Sequence, residues 1–593
     1  MNTFPLVRTK WSNEYIMAAV FIVSVLYLLP RWFQNPKELL DFAAVLVLGL
    51  LIDVIANIIR HKRLVCAVSA AVTVAVLEVL TPGVPLWGRI LGVAFALLAG
   101  KHFEGGTGKN ILNPAIVGLL LMCLLFDIRF YFTPTFLLLP AIILSIPFIR
   151  FRPFAAAGFM AGMISVLIYR QDMSVFNIAA YGVIFLSCLV VTDPVTVTSQ
   201  PLVGAIAGFL SGFISLEFSG TAFAMALCVL ALNIISFTVE RIFVTVPRMI
   251  HSPFRLKKVI PFLKQQSLVH DFTDIKDVKL REELNISEYE IIRRIRESEV
   301  FGFGGAAFPT YEKIKAVMNS HAQKKHLIVN GVECDPGLIH DQWLLHRYPV
   351  EIYQGIEALC KCIVFNSVTL AVKEIEGSSY PEDWSIYKVP DYYPAGAEKF
   401  LIKEILGKLL PSEVIPSKEG ILVLNVQTVY SIYESVYMDK KADTRFLTVA
   451  NMKEKTGTVA RVKLGTKVQE VMGDIYPHSQ FNSVFCGGGL MQCHIADDME
   501  VIDKTTNFIA LADFPHYKES PICSNCGLCT LNCPAGLKVN RIAEMVDSGD
   551  LHGTEKYHVN KCMNCGTCSY VCLAGRNLSS RMKTAREHSK RNN

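Results

Sequence analysis

The sequence predicts a two-part chain: a polytopic α-helical membrane domain, then a soluble half with an α/β domain, a small β-rich domain and a cysteine-rich module. Three observations predict it. Hydrophobic residues fill 52% of the 593 positions and the mean hydropathy is +0.37, too apolar for a wholly soluble chain of this size. The apolarity is concentrated between Tyr15 and Phe243, where long apolar runs alternate with short polar clusters. Beyond it the charge is mixed, and eight of the 17 cysteines fall in one doubled pattern near the C-terminus.

The apolar part divides into about ten spans, near 14–31, 41–60, 64–81, 87–103, 110–126, 134–149, 153–169, 178–192, 200–216 and 221–244, each close to the length that crosses a hydrocarbon core. The N-terminus lacks the short apolar stretch and small-residue cleavage site of a signal peptide. Arg8, Lys10, Arg60, Lys62, Arg63, Lys101, Lys109, Arg150 and Arg152 fall on one set of alternate connections. The opposite set, with Arg31, Lys37, Arg129 and Arg170, is thinner, so the first set is expected in the cytoplasm. An even number of spans returns the chain to that side, before Arg248, Arg255, Lys257 and Lys258. The net charge of +6 needs only this bias, and no nucleic-acid partner is expected. Cys66, Cys123, Cys188 and Cys228 lie in apolar runs and read as small hydrophobes.

The doubled pattern is Cys523-x2-Cys526-x2-Cys529-x3-Cys533-Pro534, then Cys562-x2-Cys565-x2-Cys568-x3-Cys572. A pair of zinc sites or a disulfide framework are the alternatives. Zinc sites usually pair their CxxC motifs at longer separation, and disulfides need an oxidising compartment. The spacing resembles the bacterial ferredoxin signature, in which three cysteines on a tight loop hold one [4Fe–4S] cluster and the fourth reaches the other. That resemblance implies one cluster on Cys523, Cys526, Cys529 and Cys572, and a second on Cys562, Cys565, Cys568 and Cys533. The implied task is moving single electrons.

Two polar loops interrupt the membrane half. One is Gly105-Gly106-Thr107-Gly108-Lys109-Asn110, running into Asn113-Pro114; the other is Thr192-Asp193-Pro194-Val195-Thr196. Polar backbone at bilayer depth is tolerated where it lines a cavity or is buried in protein, although an acid at a span end is as readily an interfacial residue. The segments GGTGKNILNPAIVG, VTDPVT and LNIISFTVERI resemble the D subunit of Rnf complexes and the B subunit of sodium-pumping NADH:quinone oxidoreductase, over about residues 10–250. Those subunits carry a flavin esterified to the threonine of an S-G-A-T motif. Here the corresponding loop, Asp127 to Thr133, is short, and no S-G-A-T occurs, so no covalent FMN is expected. The arginine-proline element that follows survives as Arg150-Phe151-Arg152-Pro153.

The soluble half opens with a capping box, Ser287-Glu288-Tyr289-Glu290, ahead of a helical stripe of Ile291, Ile292 and Ile295. Next comes Gly302-Phe303-Gly304-Gly305-Ala306-Ala307-Phe308-Pro309-Thr310, with Lys313 one turn into the following helix. A glycine cluster before a helix can present backbone N–H groups to a phosphate, but alone it reads as well as a plain turn. An apolar strand, His326–Asn330, then leads into the acidic loop Gly331-Val332-Glu333-Cys334-Asp335-Pro336-Gly337, where α/β nucleotide sites place their contacts.

These residues, with Tyr393-Pro394-Ala395-Gly396-Ala397-Glu398-Lys399 and Leu424-Asn425-Val426-Gln427-Thr428, resemble the Rnf C subunit and the flavin- and NADH-binding subunit of complex I, over about 284–575. The resemblance implies non-covalent FMN on Gly302, Gly304, Gly305, Ala306, Lys313, Asn330, Asn425 and Thr428. It implies NADH as substrate, with Glu333 and Asp335 as catalytic residues lining the nicotinamide side. Ala307 replaces a family glycine, Asp335 replaces a glutamate, and the family's preceding sandwich-like domain has no counterpart. Residues 440–512 resemble the family's small ubiquitin-like (β-grasp) domain. A third metal site from Cys334, Cys486 and Cys493 has no fixed spacing behind it.

The expected organisation is a membrane domain over 1–247, a basic linker over 248–283, an FMN- and NADH-binding α/β domain over 284–435, a β-grasp ligand-binding domain over 436–513 and a two-cluster ferredoxin domain over 514–593. The expected function is an Rnf-like electron-transport subunit working between NADH, FMN, the clusters and membrane partners, with or without ion translocation. The competing reading is a membrane-anchored iron–sulfur relay whose nucleotide site is vestigial. Expected partners are other Rnf-like subunits, ferredoxin or another redox protein, and membrane lipid. The expected location is the bacterial inner membrane, with the soluble half in the cytoplasm.

Overall fold

The computed structural model describes residues 4–6, 12–61, 68–103, 106, 108, 110–128, 138–170, 185–193, 195–198, 200–217, 222–242, 270–271, 286–305, 307–373, 385–408, 410, 414–477, 483–513, 519–520 and 523–592. Most of the expected linker, most of the Asp127–Thr133 loop, Gly105, Thr107, Lys109 and Ala306 lie outside them.

The apolar runs fold as helices α1 (Asn13–Gln34), α2 (Lys37–His61), α3 (Val68–Leu80), α4 (Leu86–Phe95, continued by a π-helical turn Ala96–His102), α5 (Pro114–Leu125), α6 (Leu138–Ser145), α7 (Pro153–Arg170), α8 (Pro201–Glu217) and α9 (Ala222–Ile242). A helical element lies at each expected span; the one near 178–192 is described only from Phe185. Glu14–Gln34, Lys37–Ile59 and Ala222–Val239 are long and apolar enough to cross a membrane. Side chains such as Ile55, Ile59 and Ile168 stay exposed, as lipid-facing positions would be. Helices α7 and α8 approach closely because glycines on each lie against the other's backbone: a Cβ on Gly158 would lie 2.2 Å from the Ala205 carbonyl oxygen and one on Gly212 2.2 Å from that of Phe159.

Lys101, counted above with the loop cations, is instead buried in the π-helical turn. Its Nζ lies 2.7 Å from Asp53 Oδ1 and 2.7 Å from Ser69 Oγ, and His102 Nε2 lies 2.8 Å from the same carboxylate oxygen. A lysine buried among helices is tolerated because an acid and a hydroxyl meet its donors. Near the opposite ends of the helices, Arg31 pairs with Glu38 at 2.8 Å and Arg89 with Glu78 at 3.2 Å.

The α/β domain contains a four-stranded parallel sheet in the order β4-β3-β2-β5, with β2 His326–Gly331, β3 Ser367–Val372, β4 Ser385–Lys388 and β5 Ile421–Asn425. Strands β2, β3 and β5 are mostly apolar and buried because helices cover both faces, while β4 is an exposed edge. Those helices include α10 (Glu288–Glu297), α11 (Thr310–Met318), α12 (His340–Arg347), α13 (Pro349–Cys362), α14 (Glu398–Leu406) and α15 (Val426–Met438). Ser287 caps α10 by accepting from the Glu290 amide at 3.3 Å, as the capping box requires.

A six-stranded mixed sheet follows, in the order β1-β7-β6-β10-β8-β9, with β1 His270–Asp271, β6 Thr444–Asn451, β7 Thr456–Lys463, β8 Ser483–Gly489, β9 Gln492–Ile495 and β10 Phe508–Ala512. Helix α16 (Val468–Ile475) packs on one face. Two hairpins, one helix and a central parallel strand make this the β-grasp-like unit. Phe4 and Leu6 extend its edge: the Phe4 amide donates to Cys493 O at 2.8 Å and the Leu6 amide to Leu490 O at 2.9 Å. The start of the membrane half therefore packs against the soluble half. The cysteine module closes the fold around α17 (Val539–Ser548) and α18 (Leu578–Asn592).

Candidate functional site

The eight expected cysteines sort into two cavities. Cys523, Cys526, Cys529 and Cys572 line one, with Asn540, Arg576 and Leu578. Cys533, Cys562, Cys565 and Cys568 line the other, with Val539, Ser579 and Met582. This is the crossed grouping that the ferredoxin pattern implies, in which the fourth cysteine of each run serves the other run's cavity. Burial pushes the Cys526 and Cys562 thiols up to about 11 and Cys533 up to about 12. Bare, these sulfurs keep their protons. Four sulfur donors converge on each cavity and would give up their protons on binding iron, so the donor set fits an iron–sulfur centre.

The two cavities face different parts of the molecule. The first faces the membrane half: Arg152 donates from Nη1 and Nη2 to Cys526 O, both at 3.3 Å. Gly108, at φ +82°, presses so close to the same loop that a Cβ would lie 2.1 Å from Cys523 O. The second faces the α/β and β-grasp domains. The Tyr393 hydroxyl donates to Cys565 O at 2.7 Å, and the Gln492 side chain donates to Asn564 O. Burial raises the Tyr393 hydroxyl well above its usual range, so it stays a neutral donor.

Beneath the first cavity lies a pocket of about 120 Å³. Its lining joins Lys101, Asn110, Asn113, Asp193 and Phe151 of the membrane half to Cys526 and Leu573 of the cysteine module. Asn113 caps α5, accepting from the Ala115 amide at 3.1 Å, and its Nδ2 donates to Asp193 Oδ2 at 3.4 Å. Asn233 Oδ1 accepts from the Asn113 amide at 2.9 Å, and Arg152 Nε donates to Val197 O at 2.7 Å. Segments far apart in sequence, 110–113, 152, 193–197 and 233, thus meet at one polar floor under the first cysteine loop.

In the α/β domain, the strand order reverses between β2 and β5. Open parallel sheets bind ligands at the carboxyl ends of such a pair. Asn330 and Asn425 are register partners there. Asn425 Nδ2 donates to Asp341 Oδ2 at 2.7 Å, and its Oδ1 caps α15 by accepting from the Gln427 amide at 2.9 Å. Asn330 Nδ2 donates to Gly396 O at 2.9 Å. The Gly-rich loop folds over this end: the Phe303 amide donates to Thr428 Oγ1 at 3.0 Å, and Gly304 sits against the Asn425 Cβ. Gly305 approaches Asn507. Lys313 stands on the flank, 3.1 Å from Glu398 Oε1 and 3.3 Å from Val423 O. Ala307 has φ +48°, the left-handed conformation that explains why glycine suits this position.

The two expected catalytic acids separate. Glu333 is buried near the switch point, with Oε1 accepting from the Asp341 amide at 2.8 Å, so it caps α12. Asp335, expected on the nicotinamide side, is buried and accepts from three backbone amides. Its Oδ1 accepts from the Gly337 and Leu490 amides at 2.9 and 3.0 Å, and its Oδ2 from the Met491 amide at 3.1 Å. Both oxygens are turned to the β8–β9 turn. Cys334, Cys486 and Cys493, which no spacing linked, do not form a ligand group among the described residues. Cys493 pairs with Gly487, and Cys486 with His494, so the two thiols lie on opposite faces of the hairpin.

Sequence reasoning missed Asp341, Arg445 and Asn507. Arg445 is buried; it donates to Asp503 O at 3.1 Å and to Asn507 Oδ1, and lies 5.6 Å from the Phe303 ring centroid. Burial pulls its guanidinium down to about 9. It places a cation behind the Gly-rich loop. No motif marks these residues, because scattered single charges in a mixed-charge region have no period.

Three family models match the chain: the NQR2, RnfD, RnfE family over residues 1–135, the Nuo51 FMN-binding domain over 295–434 and a 4Fe-4S dicluster domain over 516–573. The C subunit of the ion-translocating oxidoreductase complex of Rhodobacter capsulatus is 28% identical over 292 residues, 47% of this chain and 56% of the relative. The chain joins an RnfD-like membrane segment to an RnfC-like soluble segment. The C subunit of the Haemophilus influenzae complex is 29% identical to this fusion over 288 residues, 46% of this chain and 42% of the relative. The fusion thus spans about half the length of these curated relatives. Among solved structures, an NAD+-reducing [NiFe]-hydrogenase in the H2-reduced state is similar at 16% identity, covering 50% of this chain and 63% of that chain with a TM-score of 0.35.

Proposed function

We propose that this fusion is an Rnf-like electron-transport subunit that exchanges electrons between NADH and membrane or ferredoxin partners through FMN and two [4Fe–4S] clusters. The observation that carries this reading is the bracketing of the two cysteine cavities. One is held by Tyr393 and Gln492 of the nucleotide side, the other by Arg152 and the Gly108 loop of the membrane half. The cysteine module thus touches the α/β domain through Tyr393 and the membrane half through Arg152. Fusion keeps the modules at high effective concentration.

In this reading Gly302, Gly304, Gly305, Ala306, Lys313, Asn330, Asn425 and Thr428 hold FMN, and Arg445 lends positive charge to its phosphate from behind the loop. FMN, when bound, would match a two-electron nicotinamide donor to one-electron clusters. Glu333 shapes the nicotinamide side through its hold on α12. The buried walls of both cysteine cavities exclude water from the clusters. The membrane half lies in the inner membrane with the soluble half in the cytoplasm, and other Rnf-like subunits complete the complex. Ion translocation would be coupled through those subunits.

A second reading, a relay without NADH activity, is favoured by two observations: Ala307 strains the Gly-rich loop, and Asp335 is fully engaged by the β8–β9 turn. Anaerobic purification of the full chain in detergent separates the two. The main reading expects FMN to co-purify with about eight irons, as two four-iron clusters require. NADH should then bleach flavin and cluster absorbance, and Glu333→Gln should slow that reduction. About eight irons with no flavin and no response to NADH would leave the relay.

A further inference from the structure

Three side chains of different chemistry converge in the β-grasp domain, away from the cysteine cavities. Cys486 on β8 and His494 on β9 are directly opposed in the antiparallel hairpin, so their side chains share a face. Glu500 reaches the same point from the turn after β9. That turn is fixed against α16, because the Val468 amide donates to Glu500 O at 2.9 Å and Lys467 bridges to Val501. His494 Nε2 lies 3.2 Å from Cys486 Sγ and 3.3 Å from Glu500 Oε1. All three donor atoms fall within 4.8 Å of one another.

The geometry distinguishes two uses of such a trio. A nucleophilic relay needs both ring nitrogens, one toward the thiol and the other toward the carboxylate. Here a single nitrogen faces both groups, so the ring cannot pass a proton from the thiol through to the carboxylate. Metal coordination asks for the opposite, three donors aimed at one point. In a tetrahedral zinc centre with Zn–S about 2.3 Å and Zn–N and Zn–O about 2.0–2.2 Å, neighbouring donors stand about 3.4–3.6 Å apart. The separations of 3.2 and 3.3 Å lie within a few tenths of an ångström of that.

Thiolate and imidazole disfavour magnesium and calcium, and a mixed sulfur, nitrogen and oxygen set suits zinc. The Asp497 and Asp503 side chains add negative charge around the thiol. The His494 and Glu500 side chains remain 16% and 18% exposed, which leaves a way in from solvent and a fourth position for water. We propose that Cys486, His494 and Glu500 form a zinc site that pins the β8–β9 hairpin to the turn before β10. The hairpin is where three parts of the molecule meet: Asp335 holds its turn, Gln492 touches the second cysteine loop, and Phe4 pairs with its edge. Zinc there would fix the register of that junction without taking part in redox chemistry.

The test uses the full chain, purified anaerobically in detergent without chelators and given stoichiometric zinc(II). Elemental analysis should find one zinc per chain beside the cluster iron, and zinc-edge X-ray absorption should find a single sulfur at about 2.3 Å. Glu500→Gln and Cys486→Ser should each weaken zinc binding by more than the roughly hundredfold that an outer-shell partner is worth at most, with iron content unchanged. Glu500 is partly exposed, so its variant carries the test if Cys486→Ser does not fold. An iron-replete chain that takes up no zinc, or variants that hold zinc as tightly as the parent, would overturn the site.

Discussion

The two cysteine loops are near copies in sequence and backbone, yet they look out on different chemistry. Asn525 and Asn564 both adopt left-handed φ, at 51° and 54°, and Gly527 and Gly566 follow at 71° and 76°. The Asn525 amide lies 3.4 Å from Cys523 Sγ and the Asn564 amide 3.5 Å from Cys562 Sγ. Local sequence has built one cradle twice. The contact made by the middle cysteine's carbonyl differs: a guanidinium from the membrane half at Cys526, a neutral phenol from the α/β domain at Cys565. Arg576 also lines the first cavity, where the second has Ser579 and Met582. Arg576 is paired with Asp547, and Arg586 acts on Cys562 of the second cavity, so the difference rests on Arg152: its positive charge should help the first cluster hold electrons.

The strongest way to break this comparison is to remove a crossing ligand. Cys572→Ser should abolish the cluster on the membrane side and Cys533→Ser the one on the nucleotide side, each losing about half the iron of two four-iron clusters. Electron paramagnetic resonance of the two variants should reveal complementary single-cluster spectra. Identical residual spectra would sink the crossed assignment.

A smaller effect should separate the two environments. Arg152→Gln should lower the midpoint potential of one cluster by about 60 mV or less, the one-electron equivalent of a tenfold change, and leave the other unmoved. Tyr393→Phe should leave both potentials nearly in place, since the lost donor is neutral. It should loosen the junction by about 1 kcal/mol, read as earlier unfolding in denaturant. Equal potential shifts in both variants would mean that the charge difference between the cavities has no electronic consequence.

The smallest expected effect concerns the Gly-rich loop. Ala307→Gly should stabilise the α/β domain by about 1 kcal/mol, because it relieves a left-handed alanine, and should tighten FMN binding. A fall in stability would mean that the loop is not strained where its φ says it is.

The sequence by itself determined the membrane half, the ferredoxin loops and the α/β order, because each rests on local spacing. Apolar runs set the spans, and the CxxCxxCxxxC repeats set both cradles. Ser287 could be read as a helix start because capping is decided within three or four residues. The tertiary structure alone decided which loop faces the membrane, since Arg152 and Cys526 are 374 positions apart and no period links them. It also turned Asp335 to the β8–β9 turn, buried Lys101 against Asp53, and set Cys486 beside His494 instead of Cys493. These outcomes depend on strand register and helix packing, where a shift of one residue exchanges the faces of a strand.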